Sequence, residues 1–308
     1  MAPRPDHRRL NVPPLPELLS YCRPHGSDAE HAFVHRYVTT LPGAWTDAHG
    51  NVHVRIGAPT ILWSCHTDTV HRTGGRQNVR RVDGYLKLTD GSKSACLGGD
   101  DTVGVYICLA LIAAGRDGHY LFHRGEECGG IGSTALARYS PHLLNGTNFA
   151  IALDRAGTRD IVTSQCGQPC CSEAFAESLS AALSPTFKQK RRYQAEAGTY
   201  TDTHEYRQLI PECTNLSVGY AHAHTSNESV DLRHVHELIH ALQQLDTARL
   251  SCVRRPTDPD EDPLEYALGL RYVLREPRSH KGRCYGWKRE EDDQRSTLFK
   301  RVYPRALL

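Results

Sequence analysis

Four apolar runs, far apart along the chain, each stop at a side chain that can bind a metal ion. Pro59-Thr-Ile-Leu-Trp-Ser-Cys65 runs into His66-Thr-Asp68, and His119-Tyr-Leu-Phe-His123 into Glu126-Glu127. Asn148-Phe-Ala-Ile-Ala-Leu153 ends at Asp154, and Asn215-Leu-Ser-Val-Gly219 leads to His222 and His224. Short, nearly continuous apolar stretches are the pattern of strands covered on both faces. Helix-patterned stretches lie between them, so the alternation predicts an α/β fold. In an open α/β sheet, ligands gather beyond the carboxyl ends of the strands. These residues fall there.

A further acidic element joins them. Leu97-Gly-Gly-Asp100-Asp101-Thr-Val-Gly104 sets two carboxylates on a glycine-flanked turn, ahead of the apolar run Val105 to Ala114. Glycine lets the backbone take φ > 0 and come close to a ligand. Asp100 is expected to bridge two metal ions, with the acids and imidazoles of the other runs closing around it. Asp101 reads more simply as the cap of the helix that follows. In His66-x-Asp68, the imidazole can bind metal while the carboxylate accepts its other N–H and fixes the tautomer. In Glu126-Glu127 the side chains diverge, so one can coordinate while the other serves as general base. Mixed nitrogen and oxygen ligands suit Zn²⁺, with Co²⁺ or Mn²⁺ as alternatives.

The rest of the chain supports a single large domain with flanking pieces. Residues 1–16 carry five prolines and read as an extended arm; 17–250 hold the site; 251–263 form a charged, proline-rich linker; 264–308 form an appendage. Helices are expected over Leu15 to Tyr21, Asp28 to Thr39, 101–115, after the glycines at 129, 130 and 132 to near Tyr139, over Glu173 to Leu183 and from Asp231 to about Leu245, with a hairpin over Trp45 to Gly57. A formal net charge of +2 in 308 residues gives no case for nucleic acid or an anionic membrane as partner. No stretch is apolar enough to span a bilayer, and the basic, proline-rich start is not a secretory signal. A cytoplasmic, reducing location is therefore expected, with the 11 cysteines mostly as buried thiols.

The motifs His66-Thr-Asp68-Thr-Val, Gly98-Gly-Asp100-Asp101-x-x-Gly104, Glu126-Glu127-x-Gly129, Leu153-Asp154 and Ala223-His224-Thr with Glu228 resemble the co-catalytic zinc exopeptidase superfamily. That group holds bacterial leucyl aminopeptidases, peptidase T and carboxypeptidase G-type enzymes. The resemblance runs from about Ile61 to Leu245. It implies a mixed, mostly parallel central sheet with helices on both faces, the phosphorylase/hydrolase-like architecture. It also implies two zinc ions. His66 and Asp154 would be terminal ligands of one and Glu127 and His224 of the other, with Asp100 as bridge. Glu126 would be the general base and Asp68 would orient His66. The Asp100–Asp101 peptide would be cis.

The implied activity is hydrolysis of peptide bonds by an aminopeptidase or dipeptidase; an N-acyl amino-acid deacylase and a non-catalytic binding module are the alternatives. Substrates would be small peptides or acyl-amino acids. Only 70 residues separate Asp154 from His224, too few for an inserted lid of roughly 100 residues. Lidless relatives occur as monomers or large assemblies, so a homo-oligomer stays open. Thr199-Tyr-Thr-Asp202-Thr-His204 resembles a segment beside the aminopeptidase site, which gives Asp202 and His204 a supporting or substrate role. His222 competes with His224, and the following Thr225 and Glu228 favour His224. His236 and His240, four apart on a helix, read as surface residues, and Lys188 to Arg192 as a solvated basic loop.

Overall fold

The computed structural model describes residues 10–187 and 192–256. The appendage at 264–308, most of the linker and most of the basic stretch at 188–192 lie outside the described residues. Nine strands build the central sheet: β1 (Trp45–Thr46), β2 (Val52–Ile56), β3 (Ile61–His66), β4 (Gly118–His123), β5 (Phe149–Arg155), β6 (Asp160–Gln165), β7 (Gln168–Pro169), β8 (Gln194–Gly198) and β9 (Glu212–Ser217). The order is β7-β6-β9-β5-β3-β4-β2-β1, with β8 paired to β6. The four central strands β9, β5, β3 and β4 are parallel. The chain visits β4 on one side of β3 and then β5 on the other. That reversal opens a crevice at the carboxyl end of β3, where His66 stands.

Alternation along the strands divides the core in two. Ile61, Trp63 and Cys65 enter one cluster, and Leu62 enters the other. The first face is covered by α2 (Gly99–Ala113) and α5 (Leu232–Gln244), which pack on each other. The second is closed by Leu136 of α3 (Ile131–Tyr139) with Tyr206 and Ile210. Helix α4 (Glu173–Leu183) packs beside β6 and β8. Val103, Val105, Ile107, Cys108, Leu109, Leu111 and Ile112 of α2 are all buried. Burial of each large apolar side chain contributes roughly 1.5–3 kcal/mol. That exceeds the deficit of up to about 0.7 kcal/mol that a β-branched residue carries in a helix, so packing decides. Residues 154–224 add only strands and helices of this same body, and no separate lid is inserted among the described residues. No helix of the described residues is long and apolar enough to cross a membrane.

Several local expectations are met by identifiable contacts. The Ser27 hydroxyl accepts the Glu30 amide and caps α1 (Asp28–Tyr37). Asp231 caps α5 by accepting the amides of Arg233 and His234. Asp47 takes the amides of His49 and Asn51 and closes the β1–β2 turn. The helix expected over Leu15 to Tyr21 is corrected: it stops at Leu18, and Tyr21–Cys22 is a short strand paired with Gly75–Arg76. A single turn of helix gains little by itself. Tyr21 gains edge contacts with Phe33 and Tyr37 and lies under the Arg76 guanidinium.

The loop after β3 is anchored by a chain of assigned hydrogen bonds. The Thr69 hydroxyl accepts the Arg23 amide at 3.1 Å and gives its own proton to His71 Nδ1, 2.7 Å away, because the neutral ring carries its proton on Nε2. His71 Nε2 then donates to Gln77 Oε1, and Gln77 Nε2 donates to the carbonyls of Leu19 and Leu97. The imidazole is neutral in this arrangement, and burial pushes its pKa down to about 4. The unfolded chain takes up that proton near pH 6.5 and the folded chain near 4. The folded state is therefore favoured above about pH 6.5, and this share is lost by about 1.4 kcal/mol per pH unit as pH falls towards 4. His71→Gln removes the proton site. In urea unfolding series, the stability gap between the two proteins should narrow from pH 6.5 to pH 4.5; a constant gap contradicts the assignment.

Candidate metal centre

The turn that carries Asp100 is held in place from several directions. Gly98 has φ +74°, the Asp100–Asp101 peptide is cis, and regular helix begins only after Asp101. Asp101 does cap: its Oδ1 accepts the Gly104 amide at 2.9 Å, while its Oδ2 accepts the His66 amide at 3.1 Å. One carboxylate thus starts α2 and ties it to the end of β3. Behind it, the fully buried Arg23 donates to the Thr67 carbonyl and the Thr102 hydroxyl, clamping the same two segments. No sequence signal marked Arg23.

Asp100 reaches both imidazoles. Its Oδ1 lies 3.1 Å from His66 Nε2 and its Oδ2 3.1 Å from His224 Nε2. His66 Nε2 is also 3.5 Å from Asp154 Oδ1, and His224 Nε2 is 3.0 Å from Glu127 Oε1. Ligand atoms at about 2.0–2.1 Å from a tetrahedral zinc are about 3.3 Å apart. All four separations bracket that edge. Glu126 stands further off, its Oε2 3.9 Å from His66 Nε2. Asp101 also lies within 4.8 Å of His66 and Asp154, but both of its oxygens already serve backbone amides. His66 is almost fully buried, whereas the His224 side chain is 48 % exposed at φ +64°. His222, also at positive φ, is exposed, and His240 meets Gln244 on α5.

Asp68 does more than face His66. Its Oδ1 is 3.5 Å from His66 Nδ1, yet its own backbone carbonyl is nearer, at 3.1 Å. The carboxylate mainly accepts the amides of Glu126 and Glu127, at 3.1 and 3.2 Å. Those two bonds fix the turn from which Glu126 and Glu127 diverge. Asp154 is bracketed by Asn215, which accepts its N–H and donates to its C=O. The Thr201 hydroxyl donates to Asp154 Oδ2 at 2.7 Å and Tyr220 to Oδ1 at 3.2 Å. These three partners escaped the sequence reading, although Thr201 is the neighbour of Asp202. Asp202 itself is buried behind the centre, its Oδ2 3.3 Å from Nδ1 of His123, the residue beside His66 in the sheet. His204 stands further out, its ring 5.7 Å from that of Tyr200.

The electrostatics test whether this donor set fits a cation. In the field of the protein atoms alone, burial and the Asp100 charge hold Glu127 up at about 7 and Asp154 at about 6. Burial pushes Glu126 well above the usual carboxylate range. Burial would also raise Asp100, but hydrogen bonds from His224 and His66 hold it below that range. His224 is raised to about 11 by its bonds to Asp100 and Glu127. Burial opposes the charged form of His66, yet Asp154, Asp100 and Asp68 keep it well above the ordinary value. Acids crowd here beyond what two imidazoles balance, and each carboxylate penalises the next. A field that protonates two imidazoles and strains several carboxyls is one that a divalent cation relieves. The residues fit a divalent metal ion.

Nine of the described cysteines carry free thiols. Seven are buried, whereas Cys166 and Cys252 are exposed. The thiols of Cys170 and Cys171 both approach the Val162 carbonyl.

No family model matches the chain, and no curated protein matches it. Solved structures do. Aminopeptidase PepT from Bacillus cereus superposes with a TM-score of 0.60 at 15 % identity, over 75 % of this chain and 96 % of that one. A tripeptidase from Staphylococcus aureus gives 0.59 at 13 %, over 80 % and 98 %. The TET1 peptidase of Pyrococcus horikoshii, which assembles into a tetrahedron or a large octahedral shell, gives 0.51 at 16 %, over 72 % and 95 %. At such identities the likeness is one of fold. The chain shares the fold of these peptidases, a mixed α/β sheet with its acids and imidazoles gathered at the strand ends.

Proposed function

We propose that this protein hydrolyses peptide bonds with the help of two zinc ions, as an aminopeptidase or dipeptidase. One observation carries the reading: the two oxygens of Asp100 stand at the same 3.1 Å from two imidazoles that belong to different half-sites. His66 and Asp154 would hold one ion, and His224 and Glu127 the other. When bound, the pair would supply a water of lowered pKa and a polarised substrate carbonyl. Glu126 is the carboxylate left over near the ligands. It takes the proton from the attacking water as the new C–O bond forms and returns it to the leaving nitrogen as the C–N bond breaks. Asp68 holds its backbone in place for that transfer. A panel of aminoacyl amides and N-acyl amino acids, run with and without chelator, tests the reading. Chelator-sensitive cleavage of the free-amine substrates is the expected result. Cleavage confined to the N-acyl set, or indifference to chelator, contradicts it.

A further inference from the structure

The proposed ligands do not explain Glu228, a residue only 1 % exposed at the end of the loop that carries His224. Its Oε2 accepts the amides of Leu97 at 2.9 Å and Gly98 at 2.8 Å, and its Oε1 accepts the Asp100 amide at 3.0 Å. Its own amide bonds to the Thr225 carbonyl, so the carboxylate and His224 belong to one short turn. A buried carboxylate that spends its acceptors on three backbone N–H groups of one turn fixes that turn firmly. Gly99 of the turn leaves room for it. A methyl on Gly99 would meet Glu228 Oε1 at 2.9 Å, with Val230 at 3.0 Å and Tyr220 at 3.1 Å behind it.

We infer that Glu228 is a positioning residue that sets the bridging carboxylate of Asp100 and couples it to His224. The inference rests on the two-metal reading and assigns it a new part. The loop that delivers the most exposed ligand also grips the backbone of the shared one. Displacement of Glu228 therefore releases Asp100 and His224 together, and both half-sites loosen. Outer partners of this kind typically change metal affinity by about 10–100-fold.

Glu228→Gln puts an amide N–H₂ where the turn presents N–H donors. Zinc affinity is measured by competition with a chromophoric chelator, beside the thermal midpoint of the protein stripped of metal. The expected result is a folded variant with zinc affinity lowered at least about 10-fold and turnover that returns in excess zinc. A role in the fold alone would shift the midpoint and leave affinity and zinc rescue unmoved, and that result overturns the inference. Should Glu228→Gln fail to fold, Gly99→Ala decides: weaker zinc binding supports the coupling and unchanged binding overturns it. Wild-type protein that takes up no zinc would bring down the two-metal reading itself. Two tightly bound zinc ions in both wild type and variant would bring down this inference alone.

Discussion

Glu126→Gln should leave a folded protein that binds metal as the wild type does and turns over peptide about 10²–10⁴-fold more slowly. Its carboxylate is 3.9 Å from His66 Nε2, beyond the 3.0–3.5 Å spacing of the proposed ligands, so its loss removes no coordinating atom. Asp68 grips the backbone amide of residue 126, which the substitution retains. What disappears is the proton acceptor. The isosteric amide keeps the volume and a hydrogen bond but cannot take a proton from water. Steady-state kinetics together with metal analysis separate the outcomes. A fall in turnover with metal content intact is expected. A variant as active as the wild type refutes the role of Glu126, and one that has lost its metal makes it a ligand instead.

Gly104→Ala should destabilise the fold by about 3 kcal/mol, the upper end of the cost of overpacking a core. Helix propensity argues the other way, since alanine is favoured over glycine by about 1 kcal/mol in a helix interior. Space overrules it. A methyl at position 104 would lie 2.5 Å from the Leu153 carbonyl oxygen on β5 and press on the Asp101 carboxylate. Backbone cannot yield as a flexible side chain can. If α2 shifts outward, Asp101 loses its bond to the His66 amide, and Asp100 moves with it. Urea unfolding should show the loss, and a variant as stable as the wild type would mean that α2 is not seated where the structure places it.

Much of this was legible because strand ends, glycine turns and acid doublets are local signals. The runs ending at His66, Glu126-Glu127 and Asp154 became β3, β4 and β5 within a residue or two, since fully buried parallel strands leave little choice of composition. Asp101 as a cap was readable for the same local reason. The partners that hold the proposed ligands were not. Arg23 lies 79 residues from Thr102, and Thr201 lies 47 from Asp154. Hydrogen bonds across such separations leave no periodicity to read. Asp68 shows the limit from the other side: its neighbourhood with His66 was visible, but its grip on the 126–127 backbone needed the fold.

The proposed sharing of Asp100 between two ions is open to one direct measurement, the number of zinc ions per chain after equilibrium dialysis of wild type and Asp100→Ala. Two are expected in the wild type and, if a single side chain serves both half-sites, fewer than one in the variant. Two ions retained by Asp100→Ala, or a wild type that holds only one, would contradict it.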